Sequence, residues 1–298
     1  MPRCWGVGEP VGAIGVALDP RDPLTRGMLA IGEVLTRYHR HSVVGLERLG
    51  RLFEQRRRVI LVGNHVLDVV DPYLFVQAVY ARYGVVPVAM GHRTWFSMPV
   101  LRDVTTRYGV IPSRDPEAAA RAVRDGGLMM LFPGAVREAA MRDMAREPYR
   151  LKWEGRSGFL RLALEHDAEL VFFGAVGSEE MYYQSRVRLP DLLTGILSEG
   201  KTARYSGLRL SFGVLGPHLL PGVLPFPTKI THVVSEPIDL GDRARALGDR
   251  AAFEALHARV TAACQSELDR AVAEHGHSAA LVDRGVRASH ALLRRIGL

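Results

Sequence analysis

Cysteine is nearly absent from the chain. Only Cys4 and Cys264 occur among its 298 residues. Two thiols cannot form a disulfide scaffold or a cysteine-based zinc site, so the sequence favours a reducing compartment. We therefore expect neither a bound metal nor a resident cofactor.

Long apolar runs are also missing. No stretch reaches the ~18 uninterrupted apolar residues that a membrane-spanning helix requires. Residues 12–18 are apolar, but this run is too short for a secretory leader and no basic segment precedes it. The sequence thus predicts a soluble or peripheral protein.

Acidic residues are outnumbered by basic ones, which gives a formal net charge of +7. Such a balance suits a negatively charged partner: nucleic acid, an anionic bilayer or a phosphorylated cosubstrate. Aromatic residues make up only 7% of the chain, and the basic stretches carry no nucleic-acid motif. We expect no nucleic-acid partner.

Short apolar runs alternate with helical patterns along most of the chain. This alternation predicts an α/β fold with a mostly parallel, about seven-stranded sheet flanked by helices. We expect an N-terminal arm and amphipathic helix over residues 1–50, and an α/β domain over residues 51–298. Within that domain, residues 181–230 form an apolar, proline-rich insertion. Predicted strands cover residues 59–62, 85–90, 109–112, 128–132, 170–175, 208–215 and 232–235.

Polar residues follow the first of these strands. Asn64 and His65 come directly after it, and Asp71-Pro72 has the pattern of a helix N-cap followed by a first-turn proline. Open α/β sheets bind ligands at the carboxyl ends of their strands. A histidine there, with a carboxylate nearby, can act as a general base with its orienting partner. Taken alone, the pair is better explained by a structural histidine and a helix cap.

A second loop strengthens the functional interpretation. The run Leu128 to Phe132 is followed by Pro133-Gly134-Ala135-Val136-Arg137-Glu138. Two strand-end loops, one with His and Asp and the other with Gly and Arg, can form one site.

Together these stretches resemble the glycerolipid (lysophospholipid, 1-acylglycerol-phosphate acyltransferase-like) acyltransferase superfamily. Its first motif is Asn-His followed by Asp after four or five residues, and here five residues separate His65 from Asp71. Its second motif matches Gly109 to Arg114. Its third, usually Phe-Pro-Glu-Gly-Thr-Arg, is here Phe-Pro-Gly-Ala-Val-Arg-Glu-Ala, similar to the diacylglycerol and phytyl-ester branch. Its fourth, an apolar strand, matches Leu170 to Val176.

The resemblance implies transfer of a fatty acyl group from a thioester, acyl-CoA or acyl-ACP, to a hydroxyl of a glycerolipid-type acceptor. It implies His65 as general base with Asp71 as its partner, Asp68 being a rival. The implied substrate-binding residues are Asn64, Arg114, Gly134, Ala135, Arg137 and Glu138. Gly134 replaces the usual glutamate of the third motif, so that carboxylate is absent or supplied by Glu138.

Three questions stay open at this level. The chain could be a non-catalytic lipid- or acyl-carrier-binding protein of the same fold, or a thioester hydrolase. The basic stretch 141–156 is either a solvated loop or a surface that binds the phosphates of a bulky donor.

Membrane contact is the third open question. The apolar stripe Leu24, Met28, Ile31, Leu35 and Tyr38 either packs on the domain or lies in an anionic membrane surface. The apolar stretch from Leu192 to Phe226 likewise either packs on the domain or contacts the membrane. We expect a cytoplasmic protein that is peripheral on the inner face of a membrane.

Overall fold

The central strand of the protein, Val59–Gly63, is buried along its whole length in a computed structural model. The structure describes residues 15–66, 69–91, 96–97, 99–113, 115–135, 137–188, 209–218, 224–276 and 280–295.

Seven strands form one main sheet in the order β2-β12-β8-β3-β7-β5-β6. All neighbouring pairs are parallel except β12 with β8. The predicted α/β fold with a mostly parallel, seven-stranded sheet is confirmed. The strands are β2 Ser42–Val44, β3 Val59–Gly63, β5 Val88–Gly91, β6 Val110–Pro112, β7 Leu128–Leu131, β8 Glu169–Val176 and β12 Thr231–Pro237.

Nine described helices surround this sheet. They are α1 Pro23–Tyr38, α2 Glu47–Glu54, α3 Val70–Tyr83, α4 Pro99–Arg107, α5 Pro116–Gly126, α6 Gly158–Glu165, α7 Arg243–Gly248, α8 Arg250–His275 and α9 Leu281–Arg295. Asp115 caps α5, because its carboxylate accepts the Ala118 N–H at 2.8 Å.

Both faces of the sheet are covered. Alternate residues of β3 enter different cores: Ile60 and Val62 pack with α5, α6 and α8, whereas Val59 and Leu61 pack with α2 and α3. Successive side chains of a strand point to opposite faces, so a continuously apolar strand fits only between two layers of helices.

The N-terminal region is more closely integrated than its helical pattern indicated. Helix α1 ends at Tyr38, and Ser42–Val44 then joins the main sheet as an edge strand beside β12. Helix α1 packs on α3, where a Cβ on Gly32 would lie 2.6 Å from the Gln77 side chain. Its predicted apolar stripe is mostly half-buried, but Ile31 remains 54% exposed. The domain boundary at residue 50 stays a prediction.

The predicted strand 208–215 exists, but it belongs to a separate sheet. Three antiparallel strands form this second sheet: β9 Tyr183–Arg188, β10 Arg209–Gly213 and β11 Gly216–His218. A third, two-stranded sheet pairs β1 Val16–Ala17 with β4 Val85–Val86. Most of the predicted insertion, residues 189–208 and 219–223, lies outside the described residues.

Among the described residues, no helix is both long and apolar enough to cross a bilayer.

Candidate active site

The site begins where β3 ends. A Cβ on Gly63 would lie 2.7 Å from both the ring and the carbonyl oxygen of Phe173 on the neighbouring strand β8, which requires glycine there. Asn64 is buried and its side chain makes two hydrogen bonds with one residue of β8. Its Nδ2 donates to the Ala175 carbonyl at 3.1 Å, and its Oδ1 accepts the Ala175 N–H at 2.8 Å. These contacts fix the chain immediately before His65.

His65 is held by its ring and by its backbone. The imidazole stacks on Phe132, with ring centroids 4.5 Å apart. Burial lowers the pKa of His65 to about 4, so its imidazole is neutral at physiological pH. Its Nδ1 is buried and has no hydrogen-bond partner within the part of the chain that the structure describes. A neutral imidazole is the form that a general base requires.

The predicted partner, Asp71, occupies the first turn of α3 and is 1% exposed. The predicted capping function of Asp71 is wrong. Helix α3 begins one residue earlier, at Val70, and its N-cap position is Val69, which makes no side-chain capping bond. Asp71 is thus buried within the first turn and does not occupy the N-cap position. The rival Asp68 lies outside the described residues.

The third-motif loop follows β7, which is hydrogen-bonded directly to β3. The two loops therefore leave adjacent strands at the same sheet edge. Gly134 is buried, and Ala135 has φ +46°, in the left-handed region that non-glycine residues rarely adopt. The Ala135 N–H donates to the Phe132 carbonyl at 3.1 Å and closes the turn. Ala135 thus shapes this loop through its backbone.

Glu138 joins the loops. Its side chain is fully buried, and its two carboxylate oxygens accept different backbone N–H groups: His65 at 2.8 Å and Lys152 at 2.9 Å. Burial raises the pKa of Glu138 to about 7, although the two backbone hydrogen bonds act in the opposite direction. The carboxylate at this position therefore faces the protein interior.

The glycine in the third motif is explained by this carboxylate. A Cβ on Gly134 would lie 2.2 Å from the Glu138 Oε2 and 2.5 Å from the Glu138 Cβ. No side chain fits at position 134 while Glu138 keeps its place. Gly134 and Glu138 are accordingly a matched pair.

The cations of the site differ in their exposure. Arg137 is exposed at the start of the π-helical turn Arg137–Met141. Arg142, one of the cations in the predicted phosphate-binding surface, points inward instead and is 3% exposed. It pairs with the buried Glu179 and donates to the Glu147 carbonyl at 2.6 Å. Arg114 lies outside the described residues.

Sequence reasoning missed the importance of Glu179. Its carboxylate binds Arg142 and also accepts the Tyr149 N–H at 2.9 and 3.0 Å. The sequence feature that could have identified Glu179 is its position in Gly177-Ser178-Glu179-Glu180, directly after the strand β8. A carboxylate pair after an apolar strand resembles solvated loop sequence, and only the packed structure shows that Glu179 is buried.

Comparisons with known proteins agree with this geometry. Residues 40–173 match the family model described as Acyltransferase, a span that contains both loops. The chain is 27% identical over 164 residues to phytyl ester synthase 2 of Arabidopsis thaliana, which covers 50% of this chain and 22% of that protein. It is 26% identical over 222 residues to diacylglycerol O-acyltransferase 2 of Homo sapiens, covering 72% of this chain and 51% of the relative.

A third relative is an uncharacterised protein of Mycobacterium leprae, 31% identical over 150 residues, or 50% of this chain and 37% of that protein. The chain spans between about a fifth and half of the length of these relatives. The family match and the two named relatives show that residues 40–173 are similar to acyltransferases.

Proposed function

We propose that the protein is an O-acyltransferase that moves a fatty acyl group from a thioester, acyl-CoA or acyl-ACP, to a hydroxyl of a glycerolipid-type acceptor. The observation that carries this proposal is the position of His65. It is a neutral histidine at the carboxyl end of the central strand, and its backbone is held by Glu138 of the third-motif loop.

In the proposed reaction no acyl-enzyme forms. The acceptor oxygen attacks the thioester carbonyl carbon while its proton passes to His65, and Asp71 stabilises the resulting imidazolium. The tetrahedral oxyanion then collapses, the C–S bond breaks, and the thiolate leaving group takes the proton from His65. Burial alone makes His65 a weak base, so a carboxylate that stabilises its charged form is needed for efficient proton transfer.

The substrate-binding functions divide between two cations. Arg137 is exposed on the loop beside His65, where it binds the acceptor or the reacting carbonyl region. Arg114 follows β6, which is three strands away from β3 in the sheet order. With strands ~4.8 Å apart, this separation is about 14 Å. We propose that Arg114 binds a phosphate of a large donor and takes no part in proton transfer. The branch that uses diacylglycerol or phytyl acceptors stays a prediction.

Peripheral membrane association belongs to the same proposal, because a glycerolipid acceptor keeps its chains in the bilayer. Its motivation is the net charge of +7 and the exposure of Ile31 and Val34 on α1. Basic residues near an anionic surface contribute roughly 1 kcal/mol each. We propose the cytoplasmic face of a membrane as the location.

The test is thioester turnover by His65→Ala. Purified wild-type protein, acyl-CoA or acyl-ACP, and a diacylglycerol or lysophosphatidate acceptor are incubated, and both free thiol and acylated lipid are measured. Loss of the base should reduce transfer about 10²–10⁴-fold. The matched control is His275→Ala at the end of α8, which should leave turnover unchanged.

Two outcomes would contradict the proposal. Wild-type turnover in His65→Ala would remove His65 as the base. Thiol release by the wild-type protein that is independent of any alcohol acceptor would identify a thioester hydrolase instead.

A further inference from the structure

Helix α9 has a buried inner face and an exposed apolar stripe on the opposite side. Its inner face contains Asp283, Val286 and His290, all at most 9% exposed. Leu281 and Leu292 lie on the opposite side of the helix and are 78% and 59% exposed. Gly285 and Ala288 complete this outward stripe at spacings of four, three and four residues, which places all four on one side of an α-helix.

The inner face is firmly fixed to the body of the protein. The Asp283 carboxylate accepts hydrogen bonds from Arg40 at 2.7 Å and from the Lys229 N–H at 3.0 Å. The His290 ring contacts Phe226 and Tyr183, with centroid distances of 5.1 and 5.5 Å. Because these contacts fix the rotation of the helix, the outward stripe is a fixed feature of the surface.

Positive charge flanks the outward stripe. The helix carries one acidic residue, Asp283, which is buried, and four arginines, all exposed: Arg284, Arg287, Arg294 and Arg295. An apolar stripe with arginines beside it is the composition of a helix that lies in the interface of an anionic bilayer. The exposed leucines do not suit a helix that faces only water, and the arginines do not suit a protein partner with few acidic residues.

Other exposed apolar residues are connected to this helix. Leu224, which is 38% exposed, lies two residues before Phe226, and its carbonyl accepts the Val214 N–H at 3.0 Å. Leu215, next to Val214 at the turn between β10 and β11, is 77% exposed. The 224–226 segment therefore connects this turn to the inner face of α9, through Phe226 and His290.

The same segment leads toward the site. The Phe226 N–H donates to the Met181 carbonyl at 2.8 Å. Met181 packs in a small core with Val66, the residue that follows His65. The 224–226 segment thus links the inner face of α9 to the core beside the loop that carries His65.

We propose that the outward stripe of α9 docks on the surface of an anionic lipid bilayer. This inference rests on the proposed function for its biological purpose, since docking brings a lipid acceptor to the site. The arginines supply attraction that salt screens, and the leucines supply an apolar contribution that salt does not weaken.

The experiment measures binding of the full chain to vesicles of phosphatidylcholine alone and of phosphatidylcholine with phosphatidylglycerol. The test variant is Leu281→Ser with Leu292→Ser. The matched control is Leu247→Ser on α7, where the leucine is 39% exposed and lies on another element. We expect wild-type and control proteins to bind the anionic vesicles, and the test variant to bind at least about tenfold more weakly.

A second variant tests the charge. Arg284→Gln with Arg295→Gln should weaken binding at low salt and flatten its salt dependence. Thermal midpoints of all variants should match the wild type, because the altered side chains point outward. Turnover with a short-chain acceptor dissolved as monomers should be unaffected.

The inference is overturned if Leu281→Ser/Leu292→Ser binds anionic vesicles like the wild type, or if no variant or wild type binds them. It is also overturned if that variant changes a dimer into a monomer and leaves vesicle binding intact, since the stripe would then cover a second copy. Vesicle binding without any thioester turnover would refute the proposed reaction and leave the docking surface standing.

Discussion

Gly134 and Glu138 depend on each other, and through them the third-motif loop determines the backbone position of His65. The glycine provides the space, and the carboxylate fills it and binds the His65 N–H. The geometry of a base must be held closely, since a displacement of about 1 Å can cost 10²-fold in rate.

Glu138→Gln should therefore lower kcat by about 10–100-fold with little change in KM. Glutamine offers one acceptor oxygen where two N–H donors converge, so its amide NH₂ would face a donor. Gly134→Ala should reproduce this defect, because its Cβ would displace the Glu138 carboxylate. Steady-state kinetics check both variants, with the exposed Glu154→Gln as control. If Gly134→Ala is fully active, the two residues are not coupled.

The partner of His65 can be assigned by two conservative variants. Asp71→Asn should reduce transfer at least about 100-fold, because an amide can neither hold the required tautomer nor stabilise the imidazolium. Asp68→Asn should retain activity. Because Asp71 does not cap α3, the thermal midpoint of the Asp71→Asn variant should not fall as it would after the loss of a helix cap. The reversed pattern of activities would assign the partner function to Asp68.

At the scale of elements, the segment from Arg142 to Trp153 is fixed by buried polar groups although it has little regular structure. Glu179 binds the Tyr149 N–H, Gln265 binds the Leu151 N–H and Glu138 binds the Lys152 N–H. This pattern satisfies backbone donors that no strand or helix would satisfy. The segment therefore supports the site, because its Lys152 N–H binds the Glu138 carboxylate.

Arg142→Ala should lower the free energy of unfolding by about 3–5 kcal/mol, because it leaves the buried Glu179 without its cation. Arg146→Ala, an exposed neighbour, should change it by less than about 0.5 kcal/mol. Urea unfolding measures both. Equal, small effects would show that the buried ion pair contributes little to the stability of this segment.

At the scale of the whole molecule, the protein buries several neutral histidines. Burial lowers the pKa of His39, His41, His65 and His290 to about 4, and it also lowers the pKa of His232 well below its ordinary value. Burial acts in the opposite direction on the carboxyls: the pKa values of Glu138 and Glu179 are raised to about 7, and that of Glu180 is raised as well.

These shifts predict a loss of stability on acidification. Between pH 6.5 and 4 the unfolded chain binds more protons at the five histidines than the folded protein does, so stability falls as pH falls. The three glutamates oppose this trend, because the folded protein binds more protons at them. The histidines outnumber the glutamates, so the thermal midpoint should decrease from pH 6.5 toward pH 4.5. Calorimetry at constant ionic strength checks this, and a midpoint that rises on acidification would contradict it.

The sequence by itself determined six of the seven strands of the main sheet, and it predicted a candidate site at their carboxyl ends. Apolar runs such as Val59 to Val62 are continuous because both faces of the strand are covered, and Asp115 caps its helix through a bond to a residue three positions away. Parallel strands end at one edge of a sheet, so the loops at His65 and Gly134 were expected to meet. These features depend on local patterns or on a general rule of topology.

The tertiary structure alone decided which charged side chains face inward. Arg142 and Arg146 are similar in sequence context, yet only Arg142 is buried, because only Arg142 faces Glu179 from a strand end 37 positions away. Asp71 was expected to cap α3 and instead lies buried within its first turn. Strand β2 formed where a helical pattern was expected because β12, almost 190 residues later, supplies its hydrogen-bonding partner. Burial and pairing of this kind depend on residues distant in sequence, which periodicity and spacing do not contain.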